Sequence, residues 1–182
     1  QAEAMMAAAQ RRPLLLAYLD LDGFKSINDD HGHEAGDRIL RCFGAEGRAA
    51  LRREDCFARL GGDEFAVLIS LPSVEAAQET AETLHARLSA ALASTGHDVT
   101  CSMGALIVPP DGSASLDELM READRLMYSV KKVGKNGVRF ATHAPPLAAE
   151  LALFATFNEP PFPFRRPIQP VPTLDTRGVS GG

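Results

Sequence analysis

The stretch 60-LGGDEFAVLIS-70 decides how this chain is read. Two glycines and two adjacent carboxylates, Asp63 and Glu64, stand directly before a run of apolar, strand-forming residues. An ionised carboxylate is costly beside a strand about to be buried, because it loses hydration unless something pairs with it. Just upstream, 56-CFARL-60 also has strand composition, so 56–60 and 65–70 read as a hairpin turning at Gly61 and Gly62. Further out, 14-LLLAYL-19 is a short continuous apolar run of the kind found in central strands, and it ends on Asp20.

The remaining elements follow from periodicity and caps. Residues 22-DGFKSIND-29 start a helix after the first strand, and Ile39, Leu40, Phe43, Gly47, Ala50 and Leu51 recur at helical spacing between Ala35 and Leu51. Ser73 is the predicted N-cap of a helix with Ala77, Ala81, Leu84, Leu88, Ala91 and Leu92 on one face. Residues 99-VTCSMGALIV-108 alternate as a strand. Ser115 and Glu118 make a capping box for a helix running to Gly134, and 137-GVRFA-141 is the last strand. Strand, helix, hairpin, helix, strand, helix, strand predicts an α+β, ferredoxin-like domain with helices on one face of a mixed sheet.

Composition narrows the function classes. An apolar content of 45% with 24% charge is globular, and 182 residues suit one domain with an appendage. No apolar run is long enough to span a bilayer and no signal peptide opens the chain, so no direct membrane contact is expected. Cys42, Cys56 and Cys101 are odd in number and lack CxxC spacing. That argues against a disulfide framework or structural zinc and fits a reducing cytoplasm, although a longer parent could be membrane-tethered. A net charge of −5 gives no general attraction to a nucleic acid polymer, so a polyanionic ligand needs a metal ion or a local cluster of Lys and Arg.

Residues 1–12, QAEAMMAAAQRR, read as the remains of a helix that begins inside something larger. From residue 141 onward lie eight of the twelve prolines, the composition of a linker or of the entrance to another domain. The expected division is therefore 1–141 as the folded domain and 142–182 as the linker or start of a following domain.

Asp20 and Asp22 end the first strand, and Asp63 and Glu64 sit at the hairpin. If those strands are neighbours, the acids meet at one edge of the sheet, where they repel one another and are costly to desolvate. A hard divalent cation held by oxygen ligands resolves both problems, and magnesium suits such a site. Solvated turn acids are the plainer alternative for either pair alone; two pairs at strand ends beside glycines favour the metal. Lys25 near a helix start could face phosphate, and Lys131 and Lys135 lie at the last helix end, but spacing alone favours helix-dipole or plainly solvated roles for these lysines. The histidines of 31-HGHEAGD-37 suit turn and cap roles better than a transition-metal site.

Three stretches in order and spacing, 18-YLDLDGFKSINDDHGHEAGD-37, 59-RLGGDEF-65 and 123-ADRLMYSVKKVGKN-136, resemble the GGDEF family of diguanylate cyclases over roughly residues 1–141. The resemblance implies a palm-like fold related to nucleotide cyclases. It implies condensation of two GTP into cyclic di-GMP with release of two pyrophosphates, across a homodimer in which each subunit holds one GTP. By the same resemblance, Asp20, Asp63 and the main-chain carbonyl of Leu21 would bind magnesium or manganese. Glu64 would be a further metal or transition-state group that helps deprotonate the attacking hydroxyl, with Asp63 and Glu64 forming the catalytic pair. Asn28 and Asp37 match guanine-reading positions, and Gly61 and Gly62 form the turn that lets nucleotide approach. Lys25, Lys131 and Lys135 match phosphate contacts, Lys135 standing where many relatives carry Arg.

Arg52 and Asp55 form an RxxD, with Asp55 separated from Gly61 by five residues, and match the family's inhibitory site for cyclic di-GMP. The upstream DxLTGLxNR-like stretch usual in the family is missing from the chain. The tail 164-FRRPIQPVPTLDTRGVSGG-182 faintly resembles the entry to an EAL phosphodiesterase domain. A domain that senses GTP or cyclic di-GMP without making product is the alternative, and a purely structural domain leaves the acids unexplained.

Overall fold

Leu14–Asp22 forms β1, and every position of it except Tyr18 is buried. The structure, a computed structural model, describes residues 12–110 and 114–144. The chain divides into Gln1–Pro146 and Leu147–Gly182, and all described residues belong to the first unit. The readings of 1–11 as a helix and of 145–182 as a linker or a further domain's entrance lie outside the described residues.

Eight further elements surround β1: α1 (Phe24–His31), α2 (His33–Ala49), β2 (Cys56–Gly61), β3 (Glu64–Ser70), α3 (Ala76–Ala93), β4 (Thr100–Val108), α4 (Leu116–Val133) and β5 (Gly137–Thr142). The sheet order is β2-β3-β1-β4-β5. β1 pairs antiparallel with both β3 and β4, β2 with β3 likewise, and β5 runs parallel to β4. The mixed five-stranded sheet flanked by helices is the predicted α+β, palm-like arrangement.

Alternation along β1 sorts the core into two layers. Leu15, Ala17, Leu19 and Leu21 join Phe65, Val67 and Met103 against Ile39 and Phe43 of α2 and Leu84 and Leu88 of α3. Leu14 and Leu16 join Leu68, Leu106 and Val108 against Leu119 and Ala123 of α4. Helices thus cover both faces, which corrects the one-faced packing expected from the element order. The reason lies in β1 itself: a strand without a polar side must be covered twice, and each buried Leu contributes roughly 1.5–3 kcal/mol.

α4 seats closely because Gly104 of β4 has no side chain. A Cβ there would collide with the main chain at Ala123 and Met127. On the other face Phe43, Phe57 and Phe65 stack with centroids 4.8–6.1 Å apart and fix the hairpin against α2.

The capping box of α4 forms as expected, Ser115 and Glu118 each satisfying the other's main chain. The predicted Ser73 cap does not form. α3 begins at Ala76 with Glu75 at the cap position and no side-chain cap bond. Ser73 instead hydrogen-bonds the Glu75 carboxylate, which its own main chain and then Ser73 hold below the usual range.

Candidate active site

The site is built where β1 ends beside the hairpin. The register places Asp20 directly opposite Glu64, and the Leu21 N–H donates to the Asp63 carbonyl at 3.2 Å. The register of β2 and β3 shifts between Arg59 and Gly61, and Gly62 takes φ +52°, a conformation that costs glycine little. Arg59 Nε donates to the Gly62 carbonyl at 2.9 Å and fastens the turn. The two glycines therefore act through the backbone, bringing Asp63 back beside Leu21 and leaving Glu64 as the first residue of β3.

Burial gives these acids their electrostatic character. Asp20 is 8% exposed. Its pKa is raised, chiefly by desolvation; Lys131 opposes the shift, and the charges of Asp63 and Asp22 add to it. Asp20 Oδ1 is buried without a hydrogen bond of ordinary geometry, and the Lys131 ammonium stands 2.6 Å away. Tyr18, on the same sheet face, has its phenol pushed up to about 12, first by burial, then by the charge of Glu64 and a hydrogen bond to it. Tyr18 thus donates to the Glu64 carboxylate.

Among the described residues, no group of three or more His, Cys, Asp and Glu is gathered tightly enough to hold an ion. The donor chemistry nonetheless fits a divalent cation. Asp20 is destabilised chiefly by burial, which the one ammonium beside it does not offset, and the side-chain donors present are carboxylate oxygens.

The other predicted residues divide between two places. Asn28 on α1 lies against Gly36 of α2, where a Cβ would overlap the Asn28 side chain and crowd Phe24. That close approach sets Asn28 next to the helix turn bearing Asp37. Asp37, Leu40, Arg41, Phe57, Arg59 and Phe65 line a cavity of about 410 Å³ between α2 and the hairpin. Lys25 is exposed in the first turn of α1. Lys135 is exposed just beyond α4, at φ +64°.

Arg52 and Asp55 stand apart, at the far end of the hairpin from Gly61. Asp55 is buried, its carboxylate accepting from the Arg52 N–H at 3.0 Å and the Ser70 N–H at 3.2 Å. Arg48 donates to the carbonyls of Arg52 and Asp55. Arg52 itself is exposed.

Tyr18 escaped the sequence reading as part of the site, and Asp22, read there as one of the strand-end acids favouring a metal, is instead bound by protein donors. The Asp22 carboxylate accepts from Thr100 Oγ1 at 3.0 Å, from Ser102 Oγ at 2.8 Å and from the Asn136 N–H at 3.2 Å. The available signal was period two: residues 18, 20 and 22 share one face of β1.

The comparisons with known proteins agree in direction. A sequence profile described as "Diguanylate cyclase, GGDEF domain" matches residues 1–137. The chain is 39% identical over 131 residues to diguanylate cyclase DgcP of Pseudomonas aeruginosa, covering 70% of this chain and 19% of that protein. It is 40% identical over 131 residues to the bifunctional diguanylate cyclase/cyclic di-GMP phosphodiesterase MucR of the same organism, covering 71% and 19%. The chain thus spans about a fifth of the length of these relatives. The crystal structure of the GGDEF domain of DgcB from Caulobacter crescentus in complex with c-di-GMP superposes with a TM-score of 0.62 at 30% identity, covering 76% of this chain and 82% of that one.

Proposed function

The chain belongs to the GGDEF family of diguanylate cyclase domains, and from that premise we propose that it condenses two GTP into cyclic di-GMP and two pyrophosphates. The observation that carries the reading is the register of Asp20 against Glu64, with Asp63 tied to Leu21 beside them. This family's domains generally use divalent metal ions. A bound magnesium or manganese ion would neutralise charge on the phosphoryl oxygens, and Asp20, Asp63, Glu64 and the Leu21 carbonyl are the groups to hold it.

The chain's own residues supply the rest. Asn28 and Asp37 pair with the guanine edge, the carboxylate accepting from base N–H groups. Lys25, Lys131 and Lys135 neutralise the triphosphate, with Gly61 and Gly62 clearing space for it. Glu64 accepts the proton of a ribose 3′-hydroxyl as its oxygen forms a bond to the α-phosphorus of the opposing GTP. The bond from that phosphorus to the pyrophosphate oxygen breaks, and pyrophosphate leaves. Two such steps close the ring, so two copies of the domain must face each other. Arg52 and Asp55 bind the product and restrain turnover.

A second reading, a domain that senses GTP or cyclic di-GMP for an attached phosphodiesterase, is favoured by a relative named for phosphodiesterase activity alone, the cyclic di-GMP phosphodiesterase NbdA of Pseudomonas aeruginosa, 35% identical over 129 residues. Intact Gly61, Gly62, Asp63, Glu64, Asp20, Asn28 and Asp37 weigh against it. The deciding experiment is incubation of the chain with GTP and magnesium over a protein concentration series, with nucleotides separated by chromatography. Cyclic di-GMP formed at a rate steeper than linear in protein is the expected result. GTP binding with no product, also in a longer chain, would overturn the catalytic reading in favour of the sensor.

A further inference from the structure

Asp22 differs from Asp20 in what surrounds it, although both are buried at the same end of β1. Asp20 Oδ1 meets only an ammonium, whereas both oxygens of Asp22 are occupied by protein donors. Ser102 Oγ lies 2.9 Å from Oδ1, while Thr100 Oγ1, Ser102 Oγ and the Asn136 N–H all reach Oδ2. A carboxylate held by three protein donors in this way, and only 6% exposed, is a poor metal ligand.

Its third donor points to what it does. Beyond α4 the chain turns through Gly134 at φ +138°, Lys135 at +64° and Asn136 at +45°, then enters β5. Two consecutive non-glycine residues in the left-handed region are strained, and such a turn persists only where its surroundings over-determine it. The Lys135 N–H is anchored to the Val130 carbonyl at 3.1 Å, and the Asn136 N–H is anchored to Asp22. Gly137, which follows, pairs with Ser102, itself a donor to Asp22. One carboxylate thus ties the ends of β1 and β4 to the turn that carries Lys135.

We infer that Asp22 is a positioning residue for the nucleotide phosphates: it holds the Lys135–Asn136 turn in its left-handed form and acts through Lys135, by hydrogen bonding and not by charge. The inference rests on the reading of Lys135 as a phosphate contact. It makes a specific demand of the conservative variant. Asparagine can place its carbonyl where Oδ2 accepts from Thr100 and Asn136, and its amide where Ser102 Oγ can turn to accept. Asp22→Asn therefore preserves the clamp while removing the charge, and Asp22→Ala removes both.

The test uses the full chain and two readouts: amide exchange at Asn136, which does not depend on nucleotide, and GTP affinity by calorimetric titration with magnesium. Asp22→Ala is expected to speed Asn136 exchange and raise the GTP dissociation constant about tenfold, with Asp22→Asn within about threefold of the parent in both. In a Lys135→Ala background, Asp22→Ala should add little further loss. Thr100→Val keeps the side-chain shape, removes one donor and should shift both readouts less in the same direction; it serves if Asp22→Ala does not fold. Unchanged Asn136 exchange in the folded variants would overturn the clamp. Loss of GTP affinity in Asp22→Asn equal to that in Asp22→Ala would overturn the claim that charge is dispensable. A parent chain that binds no GTP would instead overturn the proposed function, leaving the clamp to be judged by exchange alone.

Discussion

The Lys131 ammonium stands 2.6 Å from Asp20 Oδ1, so the last turn of α4 supplies a cation to the acid that ends β1. The pairing is partial compensation. Desolvation outweighs it, and Asp63 and Asp22 add to the burden, leaving the Asp20 pKa raised. A raised carboxylate pKa means that the native state favours the protonated form. The resulting penalty is absent below the unfolded value near ~4, grows towards the raised folded value and is constant above it.

Asp20→Asn should therefore raise the melting temperature at neutral pH while abolishing cyclic di-GMP synthesis. The gain should shrink as pH falls through the raised folded value and disappear below the ordinary carboxylate range. Thermal melts of parent and variant across pH test this. A variant less stable than the parent at pH 7 would mean that the Lys131 pair outweighs desolvation.

Gly104→Ala should lower stability. The added methyl meets main chain of α4 at Ala123 and Met127, which cannot rotate away as a flexible side chain can. Overpacking of this kind costs about 1–3 kcal/mol, a fall in melting temperature of roughly 2–4 °C per kcal/mol for a chain of this size. Denaturant unfolding measures it; an unchanged midpoint would show that α4 can slide off β4 at no cost.

What the sequence made legible was whatever local pattern determines. The hairpin, the capping box at Ser115 and Glu118, and the acid pairs at strand ends are written in adjacent residues or in period two. The covering of both sheet faces was implicit in the unbroken run 14-LLLAYL-19 but was not drawn from it, because element order alone does not say on which side a helix returns. Ser73 was misplaced because a hydroxyl can serve a carboxylate two residues on as readily as a helix end. The part played by Asp22 could not be read at all, since its donors come from residues 78 to 114 positions away. Their meeting is a property of strand order, and strand order was inferred only for the hairpin.

Tyr18→Phe isolates the hydrogen bond to Glu64. The phenol, pushed up to about 12 by burial and then by Glu64, stays protonated through the working range. It therefore acts as a fixed donor to Glu64, and its own titration affects stability only as pH rises from the ordinary value of about 10 towards about 12. The variant should lower kcat several-fold with little change in GTP affinity, because a carboxylate held less firmly is a poorer acceptor for the attacking hydroxyl. Absorbance titration should lose the tyrosinate step near pH 12. An unchanged kcat would remove Glu64 orientation from the account.

Arg52 and Asp55 belong to one turn but should fail differently when replaced. The Asp55 carboxylate is buried and accepts from the main chain of Arg52 and Ser70, so Asp55→Ala leaves two donors without those partners and should cost about 1–3 kcal/mol whatever its role in product binding. Arg52 is exposed, its main chain serving the turn and its side chain directed to neither Asp55 nor Ser70 by any of these bonds. Arg52→Ala is therefore the clean probe: it should keep the parent's melting temperature and initial rate while raising the cyclic di-GMP concentration needed for half-inhibition at least tenfold. Progress curves with added product measure this directly. Inhibition that persists in Arg52→Ala at the parent's concentration would place the inhibitory site elsewhere on the domain and leave Asp55 as a turn acid alone.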